Sequence, residues 1–333
     1  MRAAINGFGR IGRLTLRAFT EFSNEYGFEI VLVNDPQCVD SALHLFKYDS
    51  IHGRFNEEVQ KISDDEFELN GKRLKYISER RPEKISWSDL GVDFIFECTG
   101  AFKSKESCGL HLKSGAKKVL ISCPANDADN TIVYGVNHDS LQATDAVVSC
   151  ASCTTNCLAH VVKALRDEIG IANGFATTVH SYTPDQRLTD ASHKDPRRAR
   201  AAAGSMIPTS TGATKAIEKI FPELKGKLSG LSVRVPTPNV SMIDFTFTAS
   251  KKITEDDIRR AFIKYASAAP KDVFACVDEP LVSIDFNHSP QSAIVDLPLI
   301  KVVDETIGHV VAWYDNEWGF SKRMLDLARE MSL

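Results

Sequence analysis

The feature that most restricts this chain's fold is a glycine triplet near its start, Gly7-Phe8-Gly9-Arg10-Ile11-Gly12. The short apolar run Ala3-Ala4-Ile5 precedes it, and a helical pattern from Leu14 to Phe22 follows. Phe28-Glu29-Ile30-Val31-Leu32-Val33 then reads as a second strand, ended by Asn34-Asp35. A G-x-G-x-x-G spacing that opens a βαβ unit, with an acid about 20–25 residues on, is the pattern of a dinucleotide site. Gly7 permits the tight turn, Gly9 lets a pyrophosphate reach the backbone, and Gly12 lets helix and strand approach. Asp35 is placed to accept hydrogen bonds from ribose hydroxyls, and phosphate rests on the helix N-terminus.

The alternation continues. Phe94-Ile95-Phe96-Glu97 is a buried-strand run ending in Cys98-Thr99-Gly100, a helix runs through Leu112, and Lys118-Val119-Leu120-Ile121-Ser122 is the next strand. Such alternation predicts a doubly wound parallel sheet with its crevice at the strand C-terminal ends. Thr99 and Ser122 lie at such ends, on the nicotinamide side. Between residues 36 and 90, Leu43 to Phe46 reads as helix. Glu57 to Lys61 and Phe67 to Leu74 read as strands with an Asn70-Gly71 hairpin turn. Beyond about residue 152 the texture shifts to strands with few helices, at 174–181, 232–235 and 242–248, with helical patterns ending at Ile220 and spanning Glu255 to Ser267. That texture predicts a mixed or antiparallel sheet. The expected class is α/β: a Rossmann-type doubly wound parallel sheet plus an α+β catalytic domain. A chain of 333 residues is long for one core, which fits two domains.

Composition excludes several classes. A formal charge of −4 gives no global pull towards nucleic acid or anionic membranes. The longest apolar runs are strand-sized, so no membrane span is expected. Met1-Arg2-Ala3-Ala4-Ile5 enters the glycine motif at once, which argues against a signal peptide. Eight cysteines without secretory context are expected to be thiols in a reducing cytoplasm.

The chemistry centres on Ser149-Cys150-Ala151-Ser152-Cys153-Thr154-Thr155-Asn156-Cys157. A β-prone run, Ala146-Val147-Val148, leads in and a helical run from Leu158 to Ile169 leads away, with Ser152 or Thr154 as N-cap. Cys153 is thereby expected at a helix start, where the dipole favours thiolate. His180, near the end of a strand-like stretch, is the candidate base. A thiolate beside a nicotinamide implies attack on an aldehyde, hydride loss, and a thioester left on sulfur. The Cys153 N–H and a protonated His180 would hold the developing oxyanion. Thr183, Arg198, Thr211, Gly212 and Arg234 supply the hydroxyl, backbone and guanidinium donors that recognise phosphate. By itself the run Arg197-Arg198-Ala199-Arg200 reads equally as a solvated or nucleic-acid-binding face. The spacing Cys150-x-x-Cys153-x-x-x-Cys157 invites a metal reading, but no fourth ligand with motif spacing appears, and no metal is expected.

These motifs together resemble the phosphorylating glyceraldehyde-3-phosphate dehydrogenases along essentially the whole chain. The resemblance also rests on Ser210-Thr211-Gly212-Ala213, Arg234-Val235-Pro236-Thr237-Pro238 and Trp313-Tyr314-Asp315-Asn316-Glu317. It implies Cys153 as nucleophile and His180 as acid/base. It implies that Ser152, Thr154, Arg198, Thr211 and Gly212 hold inorganic phosphate, and that Thr183 and Arg234 hold the phosphate of D-glyceraldehyde 3-phosphate. Arg10, Ile11, Asp35, Arg80, Ser122 and Asn316 map onto cofactor contacts, with Asn316 orienting the nicotinamide amide. The resemblance further implies a cytoplasmic glycolytic homotetramer with no dedicated nucleic-acid site. The implied division is a dinucleotide-binding domain of residues 1–151, joined by a C-terminal helix 317–333, and a catalytic domain of residues 152–316.

The chain departs from the family pattern at Cys150 (usually Asn), Phe320 (usually Tyr) and His160 (usually Pro). Cys150 beside a reactive Cys153 suggests a redox pair. Asp35 repels a 2′-phosphate and Pro36 offers no donor, so NAD is favoured. Ala191-Ser192 stands where NAD-specific bacterial members often carry Leu-Pro, which suggests some NADP use. Erythrose-4-phosphate dehydrogenase shares the cysteine and histidine motifs and is the rival enzyme; a non-catalytic dinucleotide-binding redox sensor is the rival of another class.

Overall fold

The computed structural model describes residues 1–22 and 25–332, which divide into two compact units at Ala151/Ser152. The first comprises Met1–Ala151 and the segment from Ser321 onward; the second is Ser152–Phe320.

Among the described residues the first unit holds one nine-stranded sheet. Its strands are β1 (Arg2–Asn6), β2 (Glu29–Asn34), β3 (Val59–Lys61), β4 (Glu66–Leu69), β5 (Lys72–Ile77), β6 (Phe94–Glu97), β7 (Lys118–Ile121), β8 (Asn130–Thr131) and β9 (Val147–Ser149). Their order is β8-β9-β7-β6-β1-β2-β5-β4-β3. Every pairing from β8 to β5 is parallel, and β5-β4-β3 is antiparallel. Ala3, Ala4, Ile5, Phe94, Ile95 and Phe96 are all fully buried, which is why these strands read as unbroken apolar runs. Helices α1 (Arg10–Glu21), α2 (Val39–Lys47) and α3 (Lys105–Lys113) belong to this unit.

The run Phe67 to Leu74, read from sequence as one strand, is two. Asn70 and Gly71 take φ of +50° and +75°, turning the chain between β4 and β5. Both φ values are those of a type I′ hairpin, so the turn sits inside the apolar run.

In the second unit the described residues form a mixed eight-stranded sheet. Its strands are β10 (Ile171–Ser181), β11 (Ile207–Thr209), β12 (Leu228–Val235), β13 (Ser241–Ala249), β14 (Phe274–Val277), β15 (Ala293–Asp296), β16 (Lys301–Val303) and β17 (Ile307–Tyr314). The order is β11-β12-β10-β13-β17-β15-β14, with β16 on β17. The β10–β12 and β14–β15 pairs are parallel and the rest antiparallel. Helices α4 (Cys153–Glu168), α5 (Ala213–Ile220) and α6 (Glu255–Ala268) pack together against this unit. Ala176, Thr178 and His180 of β10 are buried, while Phe175, Thr177 and Val179 are partly or fully exposed. The pleat therefore gives this sheet a covered face and an uncovered one.

The last helix, α7 (Trp318–Ser332), straddles the division. The segment 317–333 was expected to belong entirely with the first unit, and its start does not. The Asp315 carboxylate accepts the N–H groups of Glu317 and Trp318, and the Trp318 ring stacks on His288 at 3.7 Å, tying this turn to the second unit. Farther on, the Lys322 ammonium lies 3.7 Å from the Phe22 ring centroid and Lys118 Nζ caps the Met331 carbonyl. Residue 333 lies outside the described residues.

Candidate active site

The glycine loop is built as its spacing demands. Gly7 has φ of +92°, and a Cβ there would lie 2.6 Å from the Thr99 nitrogen. A Cβ on Gly12 would lie 2.0 Å from the Gly7 carbonyl oxygen, whereas one on Gly9 would meet nothing within 4 Å. The space over Gly9 is open to a ligand. Helix α1 starts at Arg10 with Gly9 as N-cap, with no side-chain cap and no acid in its first turn. Its first N–H groups, Arg10 and Ile11 among them, therefore face outward with the positive end of the helix dipole. An open glycine cradle on an uncapped helix start fits the pyrophosphate of NAD.

Asp35 is buried at the end of β2, its Oδ2 accepting the Phe8 N–H at 2.7 Å and its Oδ1 the Gln37 N–H at 2.9 Å. Each oxygen keeps a second lone pair for a ribose hydroxyl. The Arg10 side chain is turned to Asp49, with Nη1 on Oδ2 at 2.5 Å, so its backbone N–H is its contribution at the helix start. Burial pushes Asp49 up, but the Arg10 hydrogen bond and the His52 and Ile51 N–H groups outweigh it, taking the carboxyl down to about 2. Thr99 is held by Glu97 and Ser122 donates its N–H to the Glu97 carbonyl at 3.0 Å; Arg80 is exposed.

Ala151, the last residue before the second unit, has φ of +58° and reverses the chain immediately before α4. Ser152 is the N-cap, its Oγ accepting the Thr155 N–H at 3.0 Å. Cys153 is the first helical residue, and its Sγ lies 3.5 Å from His180 Nε2 near the end of β10. His180 Nδ1 lies 2.7 Å from the Ser181 carbonyl. Nδ1 thus faces an acceptor in that carbonyl and, at 3.0 Å, a donor in Arg234 Nη1; the carbonyl contact is the shorter, and with the proton on Nδ1 the Nε2 lone pair faces the sulfur. Arg234 Nη1 reaches the same carbonyl at 3.1 Å and Thr183 Oγ1 at 3.4 Å.

The electrostatics correct the expectation of a resting thiolate. Burial pushes the Cys153 thiol up, against the Arg234 charge and hydrogen bonds from the Thr154 hydroxyl and N–H. Burial, reinforced by Arg234, pushes His180 down to about 3 against its bond to Ser181. At neutral pH the pair is thiol and imidazole, poised for proton transfer rather than already separated in charge.

The phosphate-binding candidates fall in this same unit in different states. Arg198 donates to Asp185 Oδ2 at 2.6 Å, Thr209 Oγ1 at 2.9 Å and the Ser210 carbonyl at 3.3 Å. Its charge nonetheless reaches His180 and Arg234, lowering both. Thr211 accepts the Ala213 N–H, and Gly212 is the N-cap of α5 with no side-chain cap and no acid in the first turn, leaving backbone donors for an anion. The Thr154 hydroxyl is 2.9 Å from Tyr314 Oη. Asn316 Oδ1 accepts from Ser181 Oγ at 2.9 Å and Ser241 Oγ at 2.8 Å, which fixes which way its NH₂ points.

Tyr314 and Thr178 were given no site role in the sequence reading. The buried Tyr314 hydroxyl lies 2.9 Å from each of the Thr154 and Thr178 hydroxyls, and its ring meets His180 edge-on at 6.0 Å. Tyr314 thus ties together the elements carrying Cys153 and His180. All eight cysteines are thiols, with Cys150 fully buried, and no metal-ligating cluster exists among the described residues. His160 is buried with Nδ1 2.7 Å from Tyr265 Oη.

Comparison with known proteins bears on both units. Residues 1–105 match the family model for the glyceraldehyde 3-phosphate dehydrogenase NAD-binding domain, and residues 152–316 that for its C-terminal domain. The chain is 51% identical to the plasmid-encoded glyceraldehyde-3-phosphate dehydrogenase of Cupriavidus necator, covering 98% of this chain and 97% of that one. It is 51% identical to the enzyme of the same name from Xanthobacter flavus, covering 99% and 98%. Chloroplastic glyceraldehyde-3-phosphate dehydrogenase A of Zea mays is 46% identical, over 98% of this chain and 81% of that one.

Proposed function

The chain belongs to the glyceraldehyde-3-phosphate dehydrogenase family and is an NAD-dependent oxidoreductase of glycolysis, and we propose that Cys153 and His180 carry its reaction. That reaction is the reversible oxidative phosphorylation of D-glyceraldehyde 3-phosphate. The observation that carries the residue assignment is the 3.5 Å approach of Cys153 Sγ to His180 Nε2.

Cys153 gives its proton to His180 Nε2 as sulfur bonds to the aldehyde carbon, forming a hemithioacetal. The Cys153 N–H at the start of α4 and the imidazolium hold the new oxyanion. Arg234 and Thr183 hold the substrate phosphate; anion binding there offsets the positive charge that depresses His180, so the imidazolium is easier to form once substrate is bound. The imidazolium gives its Nε2 proton to that oxyanion, making the hemithioacetal hydroxyl, and His180 takes the same proton back as the carbon loses its hydride. NAD, when bound at the glycine cradle, supplies the hydride acceptor. The thioester on Cys153 is attacked by inorganic phosphate at Ser152, the Thr154 N–H, Thr211, Gly212 and Arg198, which releases the acyl phosphate and the thiol.

Asp35 supports NAD preference, with some NADP activity. The uncovered face of the mixed sheet, with Phe175 45% exposed and Val179 and Val233 part-exposed, supports a homotetramer. No helix among the described residues is long and apolar enough to cross a membrane; a cytoplasmic location is part of the proposal. The test is NADH absorbance on adding D-glyceraldehyde 3-phosphate with and without inorganic phosphate. A phosphate-dependent rise is expected, larger than with erythrose 4-phosphate and larger with NAD than with NADP. A faster rate with erythrose 4-phosphate, or no rise with either sugar, would overturn the reading.

A further inference from the structure

Three neighbouring parallel strands end in polar side chains placed abreast. Register pairs Asn34 of β2 with Asn6 of β1, and Asn6 with Glu97 of β6. All three are buried, at 3%, 1% and 1% exposure, where polar groups are expensive unless hydrogen-bonded. Asn34 Nδ2 donates to Asn6 Oδ1 at 2.6 Å, and Asn6 Nδ2 donates to Glu97 Oε2 at 2.6 Å. Glu97 Oε2 also meets His111 Nε2 at 3.1 Å, and Glu97 Oε1 accepts the Thr99 N–H at 2.8 Å and the Thr99 hydroxyl. His111 Nδ1 has no hydrogen-bond partner among the described residues, so the imidazole proton sits on Nε2 and points at the carboxylate.

The direction of every bond in this row is imposed from one end. Glu79 donates its N–H to Asn34 Oδ1 at 3.0 Å and accepts from Asn34 Nδ2 at 2.8 Å. Backbone cannot exchange donor for acceptor, so the Asn34 amide cannot flip. Asn6 must therefore turn its oxygen to Asn34 and its NH₂ to position 97. The Thr99 N–H presses a donor on the other side. Position 97 faces donors on both oxygens, and only an ionised carboxylate satisfies them.

We propose that Glu97 is a positioning residue for cofactor binding, locking together the glycine loop after β1, Asp35 after β2, the Glu79-Arg80 segment after β5 and Thr99 after β6. This rests on the reading of those strand ends as the NAD site. Asn34, Asn6, Glu97 and His111 need not touch NAD themselves.

The test compares NAD affinity, by titration calorimetry on the full-length protein, across the parent and four variants. Glu97→Gln keeps shape but sets an NH₂ against a donor, and NAD affinity is expected to fall roughly ten-fold. Glu97→Gln combined with Asn6→Asp restores the row, because the new carboxylate accepts from Asn34 and from the new amide, and His111 can accept from that amide at Nε2 by moving its proton to Nδ1; affinity is expected to return to within about three-fold of the parent. Asn6→Asp alone opposes two carboxylates and is expected to weaken binding. Loss of a merely structural side chain would instead make the two changes add. Additive losses, or a Glu97→Gln protein that binds NAD as the parent does, would overturn the proposal. Gly9→Glu, which fills the open cradle, separates the two claims: if it too binds NAD normally, the cofactor-site reading itself fails.

Discussion

Desolvation at Cys153 outweighs the helix start that was expected to ionise it, and the same burial holds His180 neutral. The unliganded protein should therefore show an alkylation rate with iodoacetamide that climbs with pH, its midpoint above the ordinary thiol value of 9.0. No second inflection is expected near 6.5, because His180 lies far below it. Arg234 lowers the thiol, so Arg234→Ala should move the midpoint higher still. A midpoint below the ordinary thiol value in the unliganded protein would contradict this balance. Cys153 and His180 were legible because residue type and position at element ends announce them. Tyr314 was not: it stands 160 positions from Thr154, and only the antiparallel pairing of β13 with β17 beside β10 brings it against Thr154 and His180. Nothing in local spacing reports that.

Among the elements, the β1–α1–β2 unit was the most legible, because buried parallel strands have no polar alternation to blur them. Its demands are also the sharpest. A methyl at position 12 would overlap the Gly7 carbonyl, so Gly12→Ala must displace either loop or helix. NAD affinity should fall by roughly ten-fold or more, since a backbone overlap is relieved only by moving the donors that bind pyrophosphate. Unchanged affinity by calorimetry would show that the loop tolerates the shift. The Asn70-Gly71 turn was legible from its residues, but the strand bounds around it were not, because Phe67, Leu69 and Leu74 carry an apolar pattern across the turn. The row Asn34-Asn6-Glu97 was invisible for a different reason. Each residue is a single polar group at a strand end, and its meaning lies in inter-strand register.

For the whole molecule, the proposed tetramer would cover the uncovered face of the second unit's sheet. Leu188 and Met206 of the same unit are 83% and 75% exposed, costly for a monomer in water. Light scattering after gel filtration should give about four times the chain mass of 36.8 kDa. A monomeric mass at micromolar concentration would contradict the tetramer and leave the chemistry untouched. The division into two units falls where the texture of the sequence changes; the start of α7 carries no such signal, because the Asp315 cap and the His288 stack lie in three dimensions. Across both units the central claim is that sulfur at position 153 carries the acyl group. Intact-mass spectrometry of the protein mixed with NAD and D-glyceraldehyde 3-phosphate, without inorganic phosphate, tests it directly. One acyl adduct per chain is expected, absent from Cys153→Ser and discharged on adding phosphate; an unmodified chain during NADH release, or an adduct that persists in Cys153→Ser, would contradict it.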